Sequence, residues 1–343
     1  MSIVPIHFGI DLEPDTPLPE IGNAPFESIG FAFRDMFARR QEIADCTRAA
    51  VQYGWYVRMD GHIEKLYGSR HAIADRYQSE LEAAAAAGDE IGMHVHVMEK
   101  PEGGVWRANY ADRARTEDEI EKSVEAYEAF FGRKPRSARM GDMWAQGYCA
   151  EKFEALGIRY DLSLESGLRA QGFGRLYPGT NSKGVRQSLL AMPVVPYQPS
   201  RSEFREPGGD DARDIWMIPL SSAKRSDVYS PGYWIMSAAT AISSGFKRNT
   251  ARMVLRPQTQ YQPGEVQAAL RSLFGEIDNP CACLVIRNFG VPDRVHHFID
   301  VLCEMAKERQ MQFVRPDDYV RLTMAQSQHA IAPSELQKKS VAQ

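Results

Sequence analysis

The sequence predicts an α/β fold: a mostly parallel sheet with close to the number of βα units that a (β/α) barrel needs, closed or incomplete. Three observations predict it. Short apolar runs alternate with longer amphipathic ones along most of the 343 residues. Glycines stop the amphipathic runs. Polar residues gather where the apolar runs end, which is where such barrels keep their chemistry.

Val4 to Ile10 reads as the first strand, and Pro14 would end it just past Asp11-Leu12-Glu13. Phe33 to Tyr53 is amphipathic and helical, punctuated by Gly54, and Trp55 to Arg58 is the second strand. Ile73 to Ala87 is rich in Ala, Glu and Leu and reads as one helix stopped by Gly88. Ile91 to Val97 is the third strand. Thr116, with Glu119 three residues on, has the form of a capping box and opens a helix that runs to about Phe131. Ala138 to Met140 is a short strand end, Tyr148 to Leu156 a helix closed by Gly157, and Ile158 to Asp161 another strand. Gly167 to Pro219 is rich in Gly, Pro and Ser and is expected to carry loops around a site, with Ile215 to Pro219 strand-like. Pro263 to Phe274 and Val291 to Arg309 read as helices on either side of a buried strand, Cys281 to Ile286. Gln312 to Val314 is the last strand and Asp317 to Met324 a short helix. Residues 1–325 are expected to form one domain, and 326–343, without a strong apolar face, a flexible tail.

A formal net charge of −4, with both signs mixed along the chain, gives no basic block for nucleic acid. No apolar stretch is long enough to span a bilayer, and no charged leader followed by an apolar run opens the chain. A cytoplasmic protein is the expectation, and a homo-oligomer is left open. The five cysteines form no Cys-x-x-Cys pair, and Cys281 and Cys283 lie in an apolar run, as reduced core residues would.

His94 and His96 are the most informative pair. On an extended backbone a His-x-His step points both imidazoles to one side. Asp11 and Glu13 share a face in the same way. Strand histidines can simply be buried and hydrogen-bonded, and an acidic pair after an apolar run can be a solvated turn. Together, though, the two pairs put polar groups where burial is expected, and a shared divalent cation would offset that cost. Asp11, Glu13, His94, His96, Arg139 and Asp161 all fall at or just past strand ends, which argues for one site.

With these residues in place, the chain resembles the polysaccharide deacetylase superfamily, the NodB-like carbohydrate esterases of family 4, as a divergent member. Gly88-Asp89-Glu90-Ile91-Gly92-Met93-His94 looks like that family's second motif, Phe8 to Glu13 like its first in an Asp-x-acid variant, and Pro135 to Gly141 like its third. Leu156 to Ser163 and Ile215 to Ser221 resemble later segments. The resemblance implies a distorted (β/α) barrel and a divalent metal, zinc first, with manganese, cobalt and nickel as alternatives. It also implies hydrolysis of an N- or O-acyl group, such as acetyl, on a sugar or glycan precursor. By it Asp11 would be the general base, Glu13 and His94 metal ligands, and Arg139 the residue that holds the base.

The chain departs from the family in two places. Met98 stands where the second imidazole is usual, so His96 is expected to supply it. The late strand, Leu284 to Phe289, carries no histidine to act as general acid. Arg287 there would stabilise an oxyanion but has too high a pKa to donate a proton. His62 is a substitute, against the plainer reading of an exposed loop histidine, and His296 and His297 read as surface residues. Arg58, Asp60, Trp106 and Trp144 are the expected substrate contacts; for the tryptophans, Trp234 included, ordinary packing is the alternative. Asp161 either hydrogen-bonds the base or Arg139, or caps the following turn. Two rivals stand beside the hydrolase: a catalytically inactive carbohydrate-binding or regulatory protein on the same fold, and a two-His-one-carboxylate iron oxygenase, which the βα alternation opposes.

Overall fold

All nine residues of the first strand, β1 (Val4–Leu12), are buried, as a parallel strand covered on both faces must be. In this computed structural model the described residues are 3–15, 26–102, 104–168, 170–172, 182–224, 252–255, 257, 263–277, 280–288 and 292–326. The other sheet strands are β2 (Gly54–Arg58), β3 (Glu90–Val95), β4 (Ser137–Met140), β5 (Tyr160–Asp161), β6 (Trp216–Met217), β7 (Ala282–Arg287) and β8 (Met311–Phe313). They pair in parallel in the order β6-β5-β4-β3-β2-β1-β7, with β8 also on β1. Past β6 the chain crosses to the far end of the sheet. Leu220 N–H donates to Leu164 O at 2.8 Å and Ser221 N–H to Cys283 O of β7 at 2.9 Å. Cys283 N–H returns a bond to Ser221 Oγ at 2.9 Å. These bonds bring the two ends of the curled sheet together into a distorted (β/α) barrel.

The helices are α1 (Ser28–Thr47), α2 (Gly61–Tyr67), α3 (Ala72–Arg76), α4 (Gln78–Ala86), α5 (Arg113–Phe131), α6 (Gly147–Ala155), α7 (Pro263–Glu276) and α8 (Pro292–Ala306), followed by helix at 316–326. The first helix starts and stops earlier than the expected 33–53, and three further departures each have a local reason. The helix expected over 73–87 breaks at Tyr77, whose hydroxyl is drawn to Phe26 O at 2.9 Å. Thr116 is not a cap: α5 begins earlier, at Arg113, where Asp112 accepts the Arg115 N–H. The Glu119 side chain instead reaches out from α5 to accept Gly61 N–H and an Arg70 N–H, each at 2.7 Å. Finally, α2 was not foreseen; the Asp60 carboxylate caps it by accepting the N–H groups of His62 and Ile63. The tail at 327–343 lies outside the described residues.

Alternation along the strands sorts the side chains into two cores. Ile6, Phe8, Ile10, Trp55, Met93 and Val95 are among those in the large cluster that includes helix residues. Tyr56, Leu162, Leu220, Cys283, Val285 and Tyr319 form a second cluster inside the barrel. Cys281 and Cys283 are free and buried there. Tyr56 fits because Gly92 leaves it room: a Cβ at Gly92 would come within 2.6 Å of the Tyr56 ring. Cys46 of α1 and Cys303 of α8 form a disulfide. Among the described residues no helix is long and apolar enough to cross a membrane.

His7 lies inside the barrel. Its Nδ1–H donates to Val314 O at 2.9 Å, which leaves Nε2 to accept from the Tyr56 hydroxyl at 2.9 Å. Burial pushes its pKa down to about 4, against the smaller opposing effects of Val314 O and Asp317. The unfolded chain therefore takes up this proton first. Stability should be lost as pH falls below about 6.5 and the loss should level off near 4, on the order of 3 kcal/mol from this group. Between pH 7 and pH 5 the thermal midpoint of the parent should fall more steeply than that of His7→Gln; parallel curves would show that His7 is not the group responsible.

Candidate metal centre

The strand register sets the site. Asp11 lies beside Arg287 of β7, and His94 lies beside Arg58 of β2 and Arg139 of β4. Every one of these residues sits at the carboxyl end of its strand. Glu13 follows β1 directly and is fixed by Asn288, which accepts the Glu13 N–H at 2.7 Å and donates to the Glu13 carbonyl at 2.8 Å.

Glu13, His94 and His96 converge as a group that could hold a metal ion, all three buried. Glu13 Oε1 is 3.4 Å from His94 Nε2, Glu13 Oε2 is 3.6 Å from His96 Nε2, and the two Nε2 atoms are 3.0 Å apart. A four-coordinate ion with bonds near 2.0–2.1 Å holds its ligand atoms about 3.3 Å apart, so these residues fit one. The far ring nitrogens are both occupied. His94 Nδ1 donates to Arg139 O at 3.0 Å, and His96 Nδ1 to Asp142 Oδ2 at 3.1 Å. Each bond places the ring proton on Nδ1 and turns the Nε2 lone pair inward, the arrangement that metal-binding imidazoles adopt. Two lone pairs and a carboxylate this close repel unless a cation lies between them. Glu13 Oε1 is buried without a hydrogen-bond partner, as is Asp11 Oδ1 beside it. Burial would push the Glu13 carboxyl up, but the charge of Arg287, 3.5 Å away, opposes it, and the carboxyl lies well below the usual carboxylate range.

Asp11 stands one step back, 4.0 Å from His94 Nε2. That distance is to Oδ2, which also accepts from Arg139 Nε at 3.0 Å. Arg139 is itself held by donating to Leu162 O at 2.9 Å and lies 3.7 Å from Glu165. Asp11, His94, Arg139, Gly141, Glu165 and Arg287 line a narrow pocket of about 30 Å³.

Other expected site residues are placed differently. Arg58 and Asp60 are fully buried against each other, with guanidinium-to-carboxylate bonds of 2.8 and 2.9 Å. Asp60 also accepts the His96 N–H at 3.0 Å, so the pair supports the His96 backbone and does not face a sugar. Trp144 is buried, stacks on Tyr110 and donates to the Tyr148 hydroxyl. Trp106 packs on His62, with ring centroids 4.3 Å apart, and lines a separate cavity of about 640 Å³ together with Lys65, Arg70, Lys100 and Arg107. Trp234 lies outside the described residues. Asp161 turns to Ser163, accepting its N–H at 2.8 Å and its hydroxyl, and burial pushes its carboxyl up to about 6. His62 is not in an exposed loop: it is buried in the first turn of α2. Burial, then Arg58, push its pKa down to about 3, so the ring is neutral and a poor acid at neutral pH. His296 and His297 are half-buried on α8.

Four residues that sequence reasoning missed complete the site: Asp142, Tyr110, Asn288 and Glu165. The Tyr110 hydroxyl donates to Asp142 Oδ2 at 3.0 Å, the oxygen that holds His96. Asp142 and Met143 both take left-handed backbone conformations, φ 56° and 59°, a strain that non-glycine residues keep mainly at functional sites. Gly141-Asp142 directly follows the Arg139 motif, and Asn288 directly follows Arg287, so adjacency was the available signal.

No protein-family profile matches the sequence, and no curated protein does. Among solved structures, the chain is similar to one from Mycobacterium smegmatis described as a polysaccharide deacetylase, at 14% identity and TM-score 0.47, covering 95% of this chain and 92% of that one. It is similar to a family 4 acetyl xylan esterase from Clostridium thermocellum in complex with a cobalt ion, at 9% identity and TM-score 0.36, covering 93% and 91%. A mutant of a family 4 pseudoenzyme with restored activity is similar at 8% identity and TM-score 0.40, covering 93% and 72%. These likenesses are distant, and what the site can do follows from its own atoms.

Gly141 tests the geometry. A Cβ there would collide with the imidazole of His96. Gly141→Ala should therefore weaken binding of zinc, measured by competition with a chromophoric chelator, by about 10–100-fold while far-UV circular dichroism stays unchanged. Undiminished zinc affinity would show that His96 is not a ligand.

Proposed function

We propose that this protein is a metal-dependent hydrolase that removes an acyl group, acetyl foremost, from a sugar or glycan precursor. The observation that carries the reading is the convergence of Glu13, His94 and His96 beside an Asp11 carboxylate that Arg139 holds by one oxygen only. The sugar rests on the motif resemblance.

Glu13, His94 and His96 would hold the ion. Bound there, a divalent ion such as zinc supplies a Lewis acid that polarises the acyl carbonyl and makes bound water more acidic. Asp11 is the general base. Its Oδ1 is buried and without a partner, open to accept a proton from the attacking water, while Arg139 fixes Oδ2 and so aims the other lone pairs. Arg287 reaches over Glu13 from β7, and its charge favours the oxyanion that forms when water adds to the acyl carbon. The small volume around these groups suits water and an acyl group, with the sugar outside.

Purified protein loaded with zinc should release acetate from members of a panel of N- and O-acetylated sugars, and chelator should abolish the release. Asp11→Asn should lower kcat by about 10²–10⁴-fold with metal still bound. No chelator-sensitive release across the panel would overturn the hydrolase and leave the binding-protein reading, for which Asp11→Asn should keep affinity.

A further inference from the structure

The cavity beside Trp106 lies at the same end of the barrel as the metal centre. Its lining residues come from two stretches, 61–70 after β2 and 98–119 after β3, so all of them follow the carboxyl end of a sheet strand. A buried chain of contacts joins this cavity to the ion site. Trp106 packs on His62, whose Nδ1 accepts from Arg58 NH2 at 3.0 Å. Arg58 pairs with Asp60, and Asp60 accepts the His96 N–H at 3.0 Å. Met98, which also lines the cavity, is two residues past His96, so their Cα atoms lie at most roughly 7 Å apart. At about 640 Å³ the cavity has the size of a small-molecule site.

Its walls are rich in donors and carry uncompensated positive charge. The three acids that line it are already taken by arginines: Glu64 and Glu119 by Arg70, at 3.1 and 2.7 Å, and Glu99 by Arg107 and Arg115. Those three arginines and three glutamates balance, which leaves the charges of Lys65 and Lys100, neither of them in an ion pair among the described residues. The Trp106 indole N–H can only donate, and it is buried with no acceptor. His62 is in the same state. Because arginine only donates, the bond from Arg58 makes Nδ1 the acceptor and puts the ring proton on Nε2, which is buried without a partner. Two unpaired buried donors are costly, and a ligand that brings acceptor oxygens removes the cost. A neutral sugar would supply oxygens and leave the lysines without counter-charge. An acidic sugar supplies both.

We propose that this cavity binds an anionic sugar unit, so that the substrate is an acidic oligosaccharide whose acylated unit reaches the metal centre while a neighbouring unit brings its carboxylate to Lys65 and Lys100. This rests on the hydrolase reading and narrows its substrate from sugars at large to glycans with uronate-type acids.

Binding can be read apart from hydrolysis. Calorimetry on the zinc-loaded protein compares three probes: a hyaluronan tetrasaccharide, in which glucuronate alternates with N-acetylglucosamine, a neutral chitin tetrasaccharide of the same length, and inorganic phosphate. The parent should bind the acidic tetrasaccharide about 10-fold or more tightly than the neutral one at low salt, and the margin should shrink as salt rises. Lys65→Ala combined with Lys100→Ala should bring the two within about threefold; both lysines are exposed, so the fold should tolerate their loss. Trp106→Phe, which keeps a ring against His62 but has no N–H, should weaken the acidic tetrasaccharide by about 10-fold. Equal affinity for the two tetrasaccharides, binding of neither, a preference that survives loss of both lysines, an unaffected Trp106→Phe, or phosphate bound as tightly as the acidic sugar would each overturn the inference. A parent that prefers the acidic tetrasaccharide but releases no acetate from it, or from any acetylated sugar in the panel, would overturn the hydrolase reading and leave the cavity as an acidic-sugar site.

Discussion

Two imidazole lone pairs held 3.0 Å apart, with a carboxylate across from them, are the constraint around which this structure is arranged. Left alone, the three groups repel. Neither ring can swing away to relieve the repulsion without giving up the bond at its other nitrogen, to Arg139 O or to Asp142. Glu13 is equally confined, by Asn288 on its backbone and Arg287 on its carboxylate. The barrel supplies the rigidity that holds such an arrangement in place. Buried strands packed on both faces bring the groups together, and the charge of the ion site completes it.

The supporting residues are arranged in tiers. Arg58 and Asp60 form a buried pair that reaches the His96 backbone. Breaking one side of such a pair leaves an uncompensated buried charge, which is costly. Tyr110 and Asp142 form the tier on the other side of His96, with two strained residues at the turn. Arg139 ties Asp11 on β1 to the segment after β5, where it meets the Leu162 carbonyl and Glu165. The catalytic proposal and the fold thus draw on the same side chains.

Much of this was legible in the sequence, for identifiable reasons. Strands buried on both faces announce themselves as apolar runs, and alternation puts Asp11 with Glu13 and His94 with His96 without knowledge of the third dimension. The parallel order follows from the helices between the strands. What stayed hidden depends on contacts across long separations. Adjacency to Arg287 draws the eye to Asn288 but does not reveal that it clamps Glu13, 275 residues away. Asp60 reads as a substrate contact until the His96 N–H is seen to point at it, and its pairing with Arg58 takes that residue off the surface as well. The Tyr77 break is masked by good helix formers on both sides. Glu165 lies in a stretch with too little periodicity to place, and only closure of the barrel through Leu220 and Ser221 turns it inward.

The strand order also bears on how the chain is made. β1 emerges from the ribosome first but lies between β2 and strands from the far end, β7 and β8. Asp11 and Glu13 must therefore wait, on a strand with one edge unpaired, until Ala282–Phe313 has been synthesised. Local helices can form early, whereas pairing over such a distance is slow and leaves apolar side chains and an unpaired strand edge exposed meanwhile. A nascent chain halted before residue 282 would own both histidines and both acids, yet lack the flank that seats the acids.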